Sequence, residues 1–248
     1  MKVHLSPAII MRVRDFGESD LLVTFLTPDR GRLKGVAKGA RRSKKRFVNC
    51  LDIFSLVNLE YGPRRKGDLY FIHSGKLLEA YPNLRKNYST LSHASYLIEL
   101  TEILFPWEVP DPGIFEMLKS MFNYLAVGER ADQITAAYEL IAMSRGGYGI
   151  NLEKCCVCGR IYSGEGTAVF NPEKGGIACM KCQQVTAITP RMSPDTVNII
   201  RMMQSKKFIS FEQFDVSDEA IQEINPVLKL HREYHLGQRP KTANYLSK

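Results

Sequence analysis

The chain has 248 residues, 44% of them hydrophobic and 24% charged, and a formal net charge of +8. That balance excludes wholesale disorder, and no apolar stretch approaches the roughly 18 residues a membrane-spanning helix needs. The positive excess favours a polyanionic partner, and Met1 to Pro7 shows no apolar run leading to a cleavage site, so a cytoplasmic protein is expected.

The first third reads as β-structure. Ala8 to Arg14 and Leu21 to Thr27 are rich in β-branched and apolar residues, and Pro28-Asp29-Arg30-Gly31 carries a turn signal. Gly31 to Lys38 alternates polar and apolar. Phe47 to Tyr61 is a long apolar run closed by Gly62-Pro63, and Asp68 to Leu78 is the last. Five short strands with Gly/Pro turns suit a small closed barrel. Alternation sends Arg12, Arg14, Arg32 and Lys34 toward solvent while Val13 and Leu33 face the core.

Charge divides the chain. Residues 1–80 hold 16 Lys and Arg against 8 Asp and Glu, whereas residues 81–150 hold 5 against 8. The shift near Tyr81-Pro82 marks an expected domain boundary. Five cations crowd into Arg41-Arg42-Ser43-Lys44-Lys45-Arg46, close after Lys34 and Lys38. Like charges held this close repel unless an anion screens them, although basic residues also serve merely to keep a surface soluble.

Helical spacing follows, over Leu91 to Phe105, Ile114 to Leu125 and Ile134 to Ile141, with Pro106, Pro110 and Pro112 dividing the first two. Three amphipathic helices can bury one another. Ser193-Pro194-Asp195 caps a short helix over Val197 to Met203, and Ser217 to His235 reads as another, with Pro226 as a break or kink. Residues 238–248 read as a loose tail. The expected domains are a barrel over 1–80, a helical domain over 81–150, a cysteine loop over 151–190, and C-terminal helices over 191–248 packing on the helical domain.

Cys155-x2-Cys158 is followed by Cys179-x2-Cys182. Two residues between thiolates let one turn aim both sulfurs at one ion, and two such turns complete a tetrahedron around Zn²⁺. Two disulfides are the competing reading, disfavoured in a reducing cytosol. Four thiolates leave no open position, so the expected zinc is single and structural. Cys156 is a spare that competes with Cys155, and Cys50 reads as a small core residue in a strand. His231 and His235 sit four apart on one helical face but lack the H-E-x-x-H order of a metalloprotease, and read as surface or interface residues. Asp15, Glu18 and Asp20 can hold Mg²⁺ in principle, yet in a mixed loop such acids commonly pair with nearby arginines. No catalytic constellation or phosphate-cradling motif is present in the sequence.

These blocks together resemble the bacterial DNA repair family RecO, the recombination mediators. The resemblance rests on Arg14-Asp15-Phe16-Gly17-Glu18-Ser19-Asp20 with Leu21 to Thr27, on Gly31 through Lys38-Gly39-Ala40-Arg41-Arg42, and on Gly147-Tyr148-Gly149 leading to Leu152 and Cys155-Cys156-Val157-Cys158-Gly159. It implies an α+β protein whose five-stranded barrel is an oligonucleotide-binding (OB) fold. It implies binding of single- and double-stranded DNA, strand annealing, and action with RecR (and RecF) to load RecA onto DNA coated by single-strand-binding protein. Contact with the acidic C-terminal tail of that coating protein, and a nucleoid location, are further implied. No catalysis, small-molecule substrate or membrane is.

For phosphate contact the candidates are Arg32, Lys34, Lys38, Arg41, Arg42, Lys44, Lys45 and Arg46, then Arg12, Arg14, Arg64, Arg65 and Lys66. Phe16, Phe47 and Tyr70 are candidates for stacking on bases, against the plainer reading of core residues. A zinc-ribbon RNA- or ribosome-associated protein is the alternative from the same features. A nucleic-acid enzyme with an acidic metal site is a third.

Overall fold

The computed structural model describes residues 3–63, 69–128, 130–186, 189–205 and 216–246. Its contacts gather into two units, Met1–Glu129 and Arg130–Lys248. Strands β1 (His4–Phe16), β2 (Asp20–Thr27), β3 (Gly31–Ala37), β4 (Leu56–Pro63) and β5 (Tyr70–Glu79) close into a barrel in the order β1-β2-β3-β5-β4. Only β3 and β5 run parallel; the other pairs are antiparallel. This is the expected OB fold.

Strand β1 is long because it serves two partners. Its first half pairs with β4 and its second half with β2, and the register slips between Ile10 and Arg12 where it changes over. An extra residue at such a slip bends a strand and tightens its twist, which closure requires. Inside, Ala8, Ile10, Val23, Phe25, Leu33, Val57, Leu59, Tyr61 and Ile72 form one buried cluster. A second buried row crosses the outer side through the register neighbours Ile9, Leu26 and Arg32.

The apolar run from Phe47 to Tyr61 is not one strand. Asn49 and Phe54 adopt positive φ, at 49° and 71°, which interrupts extended backbone, and pairing resumes at Leu56. Phe47, Cys50 and Leu51 nonetheless turn inward and join the barrel cluster. Cys50 is therefore a core residue in a loop; burial pushes its thiol up to about 11. A Cβ on Gly75 would come within 2.8 Å of its sulfur, so the plug and β5 meet only because that residue is glycine.

Helix α1 (Tyr88–Leu104) starts where the Asn87 side chain accepts a hydrogen bond from the Thr90 N–H at 2.8 Å. Helix α2 (Pro112–Val127) starts at Asp111, whose carboxylate accepts from the Ile114 N–H at 3.0 Å, with Pro112 at the position where a missing N–H costs nothing. Both belong to the first unit. Phe122 of α2 packs edge-on against Phe54 of the barrel plug, ring centres 5.5 Å apart.

In the second unit, α3 (Ala131–Arg145) packs with α4 (Pro194–Gln204) and α5 (Asp218–His235). The three helices expected to bury one another thus fall into different units, α1 with α2 and α3 with α4 and α5. Gly128, at φ 86°, ends α2 just before that division. Helix α5 continues through Pro226, with Ile224, Val227 and Leu228 buried around it. The tail expected to be loose contains a 3-10 turn over Lys241–Tyr245. A small sheet of β6 (Ala168–Asn171), β7 (Gly176–Ala178) and β8 (Arg191–Met192) completes the unit. No described helix is long and apolar enough to cross a membrane.

Candidate nucleic-acid interface and metal centre

The cation-rich segment between β3 and β4 is anchored at several points. Ala40 and Phe47 are buried at its two ends, and Arg41, Arg42, Lys44, Lys45 and Arg46 between them are exposed. The Gly39 N–H donates to the Asp20 carboxylate at 2.8 Å, the Arg41 N–H donates to the Ser19 carbonyl at 3.1 Å, and the Gly75 N–H donates to the Arg46 carbonyl at 2.9 Å. The segment is therefore tied to the β1–β2 turn on one side and to β5 on the other. In OB folds the β1–β2 loop commonly borders the oligonucleotide.

The candidate cations divide by their partners. Arg14, Lys34, Lys38, Arg42, Lys44 and Lys45 are exposed and form no ion pair among the described residues. Arg41 lies 3.5 Å from the Asp15 carboxylate, and Arg46 donates to the Lys38 carbonyl at 2.7 Å while sitting over the Phe47 ring. Arg12 is held by Glu102 of α1 through hydrogen bonds of 2.5 to 2.8 Å, which raise its pKa. Arg64, Arg65 and Lys66 lie outside the described residues.

Arg32 departs from expectation. Alternation sends it to solvent, but it is buried, at 8% exposure. Its guanidinium lies 4.0 Å from the centre of the Trp107 ring, and burial lowers its pKa from the ordinary arginine value. The physical reason is the segment after α1: Trp107 bridges to Arg32, and the Glu108 N–H donates to the Arg32 carbonyl at 3.0 Å. Only a contact from 75 residues downstream could overturn the strand alternation. A single tryptophan among closely spaced prolines at 106–112 is the one sequence signal that pointed there.

The aromatic candidates also separate. Phe47 is core, Tyr70 is half-buried against Tyr61, and Phe16 is 43% exposed beside the β1–β2 turn. Asp20 is occupied by the Gly39 N–H and Asp15 by Arg41, so these acids serve the local structure.

Cys155, Cys158, Cys179 and Cys182 come together, all four sulfurs lying within 4.8 Å of one another. The Cys158 and Cys179 sulfurs are 3.9 Å apart. A tetrahedron with metal–sulfur distances of about 2.3 Å has edges of about 3.8 Å. The two turns are alike: the Gly159 N–H donates to the Cys155 carbonyl, and the Gln183 N–H donates to the Cys179 carbonyl, at 2.9 and 3.2 Å. The Cys179 N–H donates to the Cys155 sulfur. Burial opposes ionisation of Cys155, but N–H groups of Cys158, Cys179 and Val157 outweigh it and bring the thiol down to about 6. Cys182 is driven the other way, to about 12, chiefly by its hydrogen bond with Cys179. Four adjacent sulfurs cannot all be thiolates without a cation among them, and this donor set fits one closed, four-coordinate metal ion. Cys155 supplies the fourth sulfur; Cys156 lies outside the cluster. None of the six cysteines is in a disulfide.

His231 is buried and His235 half-buried, and neither joins a metal cluster among the described residues. His231 is 2% exposed and donates from Nε2 to the Tyr148 carbonyl at 2.7 Å; His235 reaches the Pro172 carbonyl at 2.8 Å. They fasten α5 to the loop at Tyr148, ahead of the cysteines, and to the β6–β7 turn at Pro172.

The family profile described as Recombination protein O N terminal matches residues 1–81, and that described as Recombination protein O C terminal matches residues 85–243. The chain belongs to the RecO family. A protein named DNA repair protein RecO from Syntrophus aciditrophicus is 28% identical over 246 residues, 98% of this chain and 95% of its own length. One of the same name from Syntrophobacter fumaroxidans is 37% identical over 179 residues, 72% of this chain and 71% of its own. Another, from Anaeromyxobacter sp. (strain K), is 29% identical over 238 residues, 96% and 93%. RecO membership places the chain among DNA repair and recombination mediators.

Proposed function

We propose that this chain binds single- and double-stranded DNA, anneals complementary strands, and helps load RecA onto DNA coated by single-strand-binding protein, acting with RecR and RecF in the cytoplasm at the nucleoid. It does so without catalysis. The observation that carries this reading is the anchored segment 38–46, whose exposed cations largely lack carboxylate partners among the described residues. Phosphates are the complementary anions. Each neutralised phosphate releases condensed counterions, and a shared cationic surface lowers the repulsion between two strands that must meet. No side chain here is arranged to read base edges, so binding is expected to be nearly independent of sequence.

Lys34, Lys38, Arg41, Arg42, Lys44, Lys45 and Arg46 form the first rank of contacts, with Arg14 beside them. Arg12 is excluded from that rank because Glu102 already neutralises it. Cys155, Cys158, Cys179 and Cys182 would hold one Zn²⁺, which cross-links two turns and takes no part in chemistry.

A strand-annealing assay tests the function, run on bare DNA and on DNA coated by single-strand-binding protein with or without its acidic tail. The expected result is annealing on all bare strands, with coated strands annealed only when the tail is present. Absence of annealing, or preference for RNA over single-stranded DNA in competition, would overturn the reading.

A further inference from the structure

Trp107 is the only tryptophan of the chain and is 48% exposed. An indole left half in water forgoes much of its apolar burial, yet its position is tightly set. The Arg32 guanidinium supports one face at 4.0 Å, and the Arg32 carbonyl accepts from the next residue's N–H. A Cβ on Gly31 would stand 2.1 Å from the Val109 carbonyl oxygen, so the segment is pressed onto β3 where only glycine allows it. The segment lies against the first residues of β3, ahead of Gly35, where the described pairing with β5 begins. Beside it lies a pocket of about 450 Å³ lined by polar groups, among them His4, Asp29, Arg30, Tyr70 and Glu108. Arg32 Nε is buried with no hydrogen-bond partner, and the guanidinium lies under the indole ring.

We propose that Trp107, carried on Arg32, stacks on an unpaired base of single-stranded DNA. The strand would run on past Lys34 to the cations at 38–46, about 20 Å along β3 at roughly 3.3 Å per residue. This rests on the proposed DNA-binding function and names a contact within it. The chemistry favours a base. A rigid aromatic face accepts any base in turn, and a guanidinium beneath the indole holds it flat. Arg32 is on this view a positioning residue.

The lone indole is its own reporter. Emission of the wild-type chain is titrated with a dT oligomer while anisotropy of the same labelled oligomer is followed. The expected result is quenching that tracks the anisotropy. Trp107→Ala should weaken single-strand binding roughly tenfold and leave duplex binding within about twofold, since paired bases offer no free face, while Trp107→Phe keeps most of the affinity. Normal anisotropy with level emission, or unaltered affinity in Trp107→Ala, would overturn the stacking contact. The proposed function would stand, and Trp107 would be free for a protein partner. Absence of any anisotropy change with DNA would remove both. If Trp107→Ala fails to fold, wild-type emission and Trp107→Phe decide.

Discussion

From β1 to β5 the chain closes on itself with hydrogen-bonded strands and fills the interior with Phe25, Tyr61, Ile72 and their neighbours. From Glu153 to Cys182 it makes only the short β6–β7 hairpin, and Val157, Ile161 and Met180 stand more than half exposed. The barrel is held by buried area. The cysteine loop has too little of it and gathers four sulfurs instead. With the proposed anion contacts and metal, the contrast predicts that the two regions answer to different stresses: the barrel's rim to salt and anions, the loop to chelators and protons.

The largest effect should separate them outright. Cys179→Ser, or stripping the metal with a chelator, is expected to cost the loop several kcal/mol, given about 10–16 kcal/mol for structural zinc in small peptides. Hydrogen exchange should show residues 153–182 opening while the barrel strands stay protected. Barrel and loop opening together would break the comparison, and metal analysis should return one zinc per chain.

Next comes the rim. Replacing Arg41, Arg42, Lys44, Lys45 and Arg46 by Ala should flatten the slope of log K against log[salt] on single strands by about 3.5. Melting should hardly move, because these side chains are exposed. An unchanged slope would place the contact elsewhere.

Gly31→Ala probes the barrel's outer side. It combines a positive φ of 68° with a clash against the Val109 carbonyl, and an expected cost of about 2–3 kcal/mol follows. Thermal denaturation measures it; a neutral substitution would mean that the 107–110 segment is loosely seated.

The smallest effect concerns protons in the second unit. Burial lowers the pKa of His231 below the ordinary 6.5, the Tyr148 carbonyl opposes this, and His235 adds to it. Nδ1 is buried without a partner. The unfolded chain therefore binds this proton more readily, so stability is lost as pH falls below about 6.5. Denaturant midpoints across pH 7.5 to 5.5, in roughly half-unit steps, should show this. His231→Gln should flatten the profile, and an equally steep profile in that variant would show that His231 is not its source.

Much of this was legible in the residues. Apolar runs with Gly/Pro turns mark β1 and β2, alternation marks β3, and the C-x2-C pairs mark the cysteine cluster because their chemistry is local. The capping residue Ser193 was equally plain: its side chain accepts from the Thr196 N–H. What escaped was set at long range. Phe47 to Phe54 has the composition of a strand but plugs the barrel. Arg32 has a strand neighbour's alternation but answers to Trp107. The histidines read as surface or interface residues, and burial of His231 against Tyr148 is what the sequence left open. In each case tertiary contact overrode a sound local pattern.

The row Ile9, Leu26 and Arg32 has a practical consequence for anyone dividing the molecule. Its cover includes Trp107, far beyond the end of the barrel strands. A polypeptide stopped at residue 81 would possess every barrel strand yet present a greasy stripe to water. Such a fragment should clump, whereas one carried through α2 to Gly128 should stay in solution.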